Sequence, residues 1–229
     1  MTTRGLLLLG LGAPTLLGLS AQAATITSAG SGDYKTGATW VDGSVPGTLD
    51  DAVITDGHAL TSSSSIVIGL SGTVSVNNGS FTGTEMNLGW GPPTTGTVTN
   101  ELNIGSQGSV TLSSILWLYD RSLGTSGANG KSTVNFSGAG GSLTLNFGSG
   151  GSARVSYNST FSTLSFVELW DAGILTLDGK SGLTNDEFVD NFTVSNVNET
   201  GDTITAVPEP GSLALLGLGG LCVLQRRRK

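Results

Sequence analysis

Between residues 24 and 207 apolar and polar positions alternate in short runs, broken by Gly, Asn and Ser. Period-two alternation marks a strand with one buried face, and the breaks are turn residues. Long helix-period stripes are absent from this stretch. The most informative runs share one frame: apolar-x-apolar, a four-residue corner ending in Gly, one variable residue, then apolar-x-apolar. Residues 66–76, 102–112 and 167–177 fit it position by position. Residues 134–145 fit with one extra corner residue, and partial matches open at Met86, Leu116 and Ala153.

These units start at 66, 86, 102, 116, 134, 153 and 167, so they recur every 14 to 20 residues. Short irregular periods of this kind predict an all-β, single-domain parallel β-solenoid with one coil per step. Glycine suits its corners because it adopts positive φ and tight packing without steric cost. An antiparallel β-sandwich is the alternative, since the same corners also serve hairpins. The opening of the body is more polar. Trp40 and residues 43–54, with their Val-Pro-Gly turn and Asp50-Asp51-Ala52-Val53-Ile54 run, predict a first coil or cap. At the far end, residues 183–192 predict a helical turn or loop, followed by strands at 193–195 and 203–205.

Both ends of the chain depart from this pattern. Arg4, an apolar run over residues 5–19 and Ala21-Gln22-Ala23 have the layout of a secretory signal peptide cut after Ala23. At the other end, Pro208-Glu209-Pro210 precedes an uncharged apolar run over residues 212–224, then Arg226, Arg227, Arg228 and Lys229. The prolines stop any incoming helix, the apolar run suits hydrocarbon, and the cations hold their end in the cytoplasm. The run spans roughly 20 Å as a helix at about 1.5 Å per residue. That is short of the ~30 Å hydrocarbon core, so snorkelling or local thinning must cover the difference. The division expected is a leader over 1–23, an ectodomain over 24–206 and a sorting tail over 207–229.

The order Pro-Glu-Pro, Leu/Gly-rich helix, Arg-rich end resembles the PEP-CTERM sorting signal of Gram-negative bacteria. The resemblance covers the last 23 or so residues. It implies recognition by exosortase, a membrane-embedded cysteine protease that processes the tail near the PEP motif. It also implies export, transient anchoring in the inner membrane, then association with exopolysaccharide or biofilm. The stretch from Trp40 through Val45-Pro46-Gly47 to Ile54 resembles the opening of exported bacterial β-helix proteins.

Composition narrows the chemistry. The body carries five cations, Lys35, Arg121, Lys131, Arg154 and Lys180, against sixteen carboxylates. That excess argues against nucleic acid or an anionic membrane surface as partner. The one cysteine, Cys222, lies in the tail, so the body forms no disulfide. His58 is the single histidine, too few ligands for a zinc site, and it reads as a turn residue after Asp56-Gly57. Asp50-Asp51 and Asp186-Glu187-Asp190 offer hard oxygens but lack calcium-loop spacing, and read as solvated carboxylates. Trp90, Trp117 and Trp170 fall at inward or corner positions, where core packing is the simplest role.

No catalytic residue, metal site or cofactor is assigned. The expectation is a non-enzymatic surface or matrix protein, with exosortase and exopolysaccharide as partners. The alternatives are a carbohydrate-active enzyme or carbohydrate-binding protein on a β-helix scaffold and, ranked below them, an ice-binding protein. For the last, Thr25-Ile26-Thr27, Thr97-Val98-Thr99 and Thr203-Ile204-Thr205 do not fall at matching positions of the frame.

Overall fold

The computed structural model describes residues 23–68, 72–89, 96–120, 128–145, 153–157, 160–182, 185–196 and 202–207. Two large sheets enclose one apolar core, and the chain passes back and forth between them. The first sheet has six strands in the order Thr25–Thr27, Asp51–Ile54, Thr73–Val76, Glu101–Gly105, Thr133–Ser137 and Leu175–Leu177. Every neighbouring pair in it is parallel. The second has ten strands and is mixed. Gly32–Asp33, Ala59–Ser62, Ser80–Leu88, Ser109–Asp120 and Ser142–Leu145 stack in parallel. Ser142–Leu145 then pairs antiparallel with Asp202–Ala206, which pairs antiparallel with Phe192–Asn196.

Inward positions are those the alternation assigns. In the first sheet Val74, Leu102, Val134 and Leu175 lie opposite one another in register. In the second, Leu60, Phe81, Val110, Leu143 and Ile204 do the same. All nine are essentially removed from water, each contributing roughly 1.5–3 kcal/mol of burial if aliphatic or aromatic.

Glycine corners allow the close stacking. The backbone oxygen of Val76 sits where a Cβ on Gly108 would go, and Gly105 O lies 2.6 Å from the corresponding point on Gly141. Any side chain there would push successive layers apart. The amides just after these glycines bind the layer below: Ser109 N to Gly79 O and Ser142 N to Gly108 O, both 3.1 Å.

Two expectations are corrected. First, the units do not stack one per step. The strand at Ile66 pairs with that at Met86, and Met86 with Leu116, in the second sheet; Leu102 pairs with Val134 in the first. Side-chain bonds between neighbouring strands of the first sheet join residues 22, 32 and 41 apart along the chain. The cause is that both sheets use the same alternation, so spacing alone mixes two stacks. Second, residues 167–170 are not strand. They lie in helix Phe166–Asp171, closed by a capping box: Ser165 Oγ accepts from Glu168 N, and Glu168 Oε2 from Ser165 N at 2.7 Å. Phe166, Leu169 and Trp170 fall on one face of it and are buried. Residues 175–177 are strand, as expected.

The end elements match their expectations. Helix Asn185–Asn191 precedes the two final strands. Trp170, Phe188 and Phe192 cluster with ring centroids 5.3 to 6.4 Å apart, closing that end of the core. At the other end Trp40 packs edge-on against Tyr34 at 4.9 Å and donates from Nε1 to Tyr34 O. Among the described residues no helix is long and apolar enough to cross a membrane. The run 212–224, Ala21, Pro208, Glu209, Pro210 and Arg226 to Lys229 lie outside the described residues; Ala23 lies inside them and is exposed.

Candidate functional site

The outward side of the second sheet carries two in-register rows of hydroxyls. Inward Leu60, Phe81, Val110, Leu143 and Ile204 force their neighbours outward, because successive strand residues face opposite sides. One row therefore runs Thr61, Thr82, Thr111, Thr144, Thr203 and Ser195. The row beside it runs Ala59, Ser80, Ser109, Ser142, Thr205 and Thr193. Every position except Ala59 bears a hydroxyl, and none bears a charge. All twelve are partly or fully exposed.

The lattice is set by the backbone. Neighbouring strands lie about 4.8 Å apart, and residues i and i+2 about 6.7 Å apart along a strand. Threonine χ1 is stiff, so hydroxyl positions inherit that regularity. Within the first row, Thr144 Oγ1 and Thr203 Oγ1 share a hydrogen bond of 2.8 Å. Such a face offers donors and acceptors at fixed intervals to a partner that is itself polyhydroxylic and neutral.

The outward side of the first sheet is different. Its polar groups are largely spent on one another. Asp51 Oδ1 accepts from Thr73 N and Oγ1 at 2.9 and 2.8 Å. Asn103, Asn135 and Thr176 form a continuous ladder at 3.0 and 2.8 Å. Glu101 sits between, 3.5 Å from Thr133 Oγ1. Partial burial raises its carboxyl above the usual range, and the Thr133 bond offsets part of that.

The remaining candidates are dispersed. His58 Nδ1 and Ser28 Oγ are 2.8 Å apart, but Ser28 is buried and its oxygen also accepts from Thr55 N. The pair ties a turn whose Asp56 and Gly57 have positive φ. Asp50 is occupied by backbone amides, from Ala24 to Oδ1 at 3.0 Å and from Gly47 to Oδ2 at 2.8 Å. Among the described residues no group of three or more potential ligands is placed to hold a metal. A cavity of about 240 Å³ beside the aromatic end is lined by Trp170, Asp178, Lys180, Glu187 and Asn191, among others. Trp170 is core there; Trp90 lies outside the described residues.

The hydroxyl rows were missed in the sequence because Thr-x-Thr was the pattern sought. Thr25–Thr27 belongs to the first sheet and Gly96–Val98 to a separate two-stranded one, so only residues 203–205 join the array. The usable signal is Gly-Ser-apolar-Thr at 79–82, 108–111 and 141–144. At 109 and 142 this Ser is the variable residue of the frame.

Residues 206–229 match a family model described as the PEP-CTERM protein-sorting motif. The motif marks an exported protein sorted by an exosortase-type system, as its residues implied. No curated protein matches the chain, and no solved structure does.

Proposed function

We propose that this is a non-enzymatic cell-surface or extracellular-matrix protein whose hydroxyl-bearing sheet face binds a neutral exopolysaccharide. The observation that carries the reading is the uncharged double row from Ala59 and Thr61 to Thr193 and Ser195 on an otherwise acidic body. A neutral glycan meets no repulsion there, and its own hydroxyls pair with the rows; an anionic glycan is disfavoured by the surrounding carboxylates. The sorting motif supports this reading, since it marks an exported protein.

On this reading the body over 24–206 is a parallel β-solenoid. Parallel neighbours cannot be joined by hairpins, and the first sheet contains only parallel pairs, which supports a solenoid over an antiparallel sandwich. The leader is removed after Ala23. Residues 212–224 hold the chain transiently in the inner membrane with Arg226, Arg227, Arg228 and Lys229 inside, and exosortase acts near Pro208-Glu209-Pro210. Sedimentation of the purified protein with an insoluble neutral glucan tests the binding; T111K and T144K place charge in the row and are expected to abolish it.

Among the described residues, the carbohydrate-active-enzyme reading rests on the cavity with Asp178 and Glu187. Glycan cleavage lost in D178N or E187Q would favour it. The regular hydroxyl lattice also favours an ice surface as a second reading, because ordered water presents oxygens at comparable intervals. Thermal hysteresis abolished by T111K would favour that one.

A further inference from the structure

We propose that Asp50 is the receptor for the α-ammonium created when the leader is cut between Ala23 and Ala24. The inference rests on reading Ala21-Gln22-Ala23 as the cleavage site. It adds what the new terminus does in the folded protein.

Ala24 N lies 3.0 Å from Asp50 Oδ1. The carboxylate is oriented by a second bond, from Gly47 N to Oδ2 at 2.8 Å. Ala24 is itself held in place, since its carbonyl accepts from Asp51 N at 2.8 Å and Thr25 begins the strand paired with Asp51. The nitrogen that hydrolysis frees is thus the atom already aimed at a fixed carboxylate. Both Ala23 and Ala24 are exposed, so the bond between them is open to a protease.

In the cleavage, water adds hydroxyl to the Ala23 carbonyl carbon and a proton to Ala24 N as the C–N bond breaks. At neutral pH the products are a carboxylate on the departing leader and an ammonium on the body. The amide–carboxylate hydrogen bond, in which only the acceptor is charged, becomes an ammonium–carboxylate ion pair in which both partners are. The first strand sits at the edge of its sheet, where chain ends otherwise fray. The ion pair locks that edge only in processed protein. The charged and titratable groups nearby are Asp51, bonded to Thr73; Tyr34, which feels Asp50; and Lys35, whose ammonium donates to Ser65 O at 2.8 Å.

The test uses exported protein recovered from the producing cell. N-terminal sequencing is expected to begin at Ala24; a different first residue would overturn the proposal and, separately, the cleavage reading. The α-amine is then acylated across a pH series and followed by mass spectrometry. An ordinary α-amine titrates near 7.7–8.0. The folded protein is expected to show a midpoint raised above that of the same protein in urea, and D50N is expected to return it. Equal midpoints for folded and unfolded wild type would overturn the ion pair even with the Ala24 terminus confirmed. So would a raised midpoint that D50N leaves in place.

Discussion

Thr144 Oγ1 and Thr203 Oγ1 meet at 2.8 Å although 59 residues separate them. Their strands are antiparallel, whereas the strands on the other side of Thr144 run parallel. The hydroxyl row therefore continues across a change of strand direction. Replacing Thr144 by Val removes one hydroxyl at constant shape, and should cost about 0.5–1.5 kcal/mol by urea unfolding. T144K loses the same bond and should cost a similar amount, but because the position is outward the fold should persist while glycan binding is abolished.

Gly108 is pressed against the backbone oxygen of Val76 in the layer beneath. Backbone cannot swing aside as a side-chain tip can. G108A should destabilise by roughly 1–3 kcal/mol, the usual range for overpacking. Gly57 has nothing within 4 Å of its would-be Cβ but a φ of +73°, so G57A tests strain without crowding. Chemical denaturation of both variants would separate the two effects.

Much of this architecture was legible because burial dictates side-chain parity. Leu102 and Val134, and Val110 and Leu143, are correctly matched by the frame alone. What spacing could not reveal is which sheet a strand joins, since Val74 and Phe81 obey the same alternation while facing the core from opposite sides. Helix Phe166–Asp171 was hidden for a related reason: Val167 and Leu169 read as alternation and Trp170 as a corner, while the capping box at Ser165 and Glu168 decided the local structure. The hydroxyl face was hidden because serine and threonine abound in this chain, and the Gly-Ser-apolar-Thr recurrence points to one face only once register lines its members up.

The capping box also predicts a pH dependence. Bonds from the Ser165 amide and then its hydroxyl hold the Glu168 carboxyl below its usual value of 4.5. A carboxyl lowered in the folded state stabilises above its unfolded pKa, and that stability fades as pH falls through the folded one. E168Q should therefore flatten the loss of stability on acidification below about pH 4.5. S165A removes the N-cap and should cost about 1 kcal/mol at neutral pH.

Glu101 should behave in the opposite sense. Its carboxyl is raised by burial, so its ionised form weighs against folding. E101Q should unfold at higher urea than wild type at neutral pH. The advantage should begin to shrink as pH falls through the raised pKa and be gone below the ordinary value of 4.5, where the unfolded chain is protonated too. A variant less stable than wild type at pH 7 would show that the Thr133 contact outweighs the desolvation.

The most direct test of the functional account is co-sedimentation of the exported protein with an insoluble neutral glucan, comparing wild type with T111K and T144K. Wild type is expected in the pellet and both variants in the supernatant, with unchanged circular dichroism. Wild type left in the supernatant, or folded variants that pellet as it does, would contradict the assignment of the hydroxyl rows as the binding face.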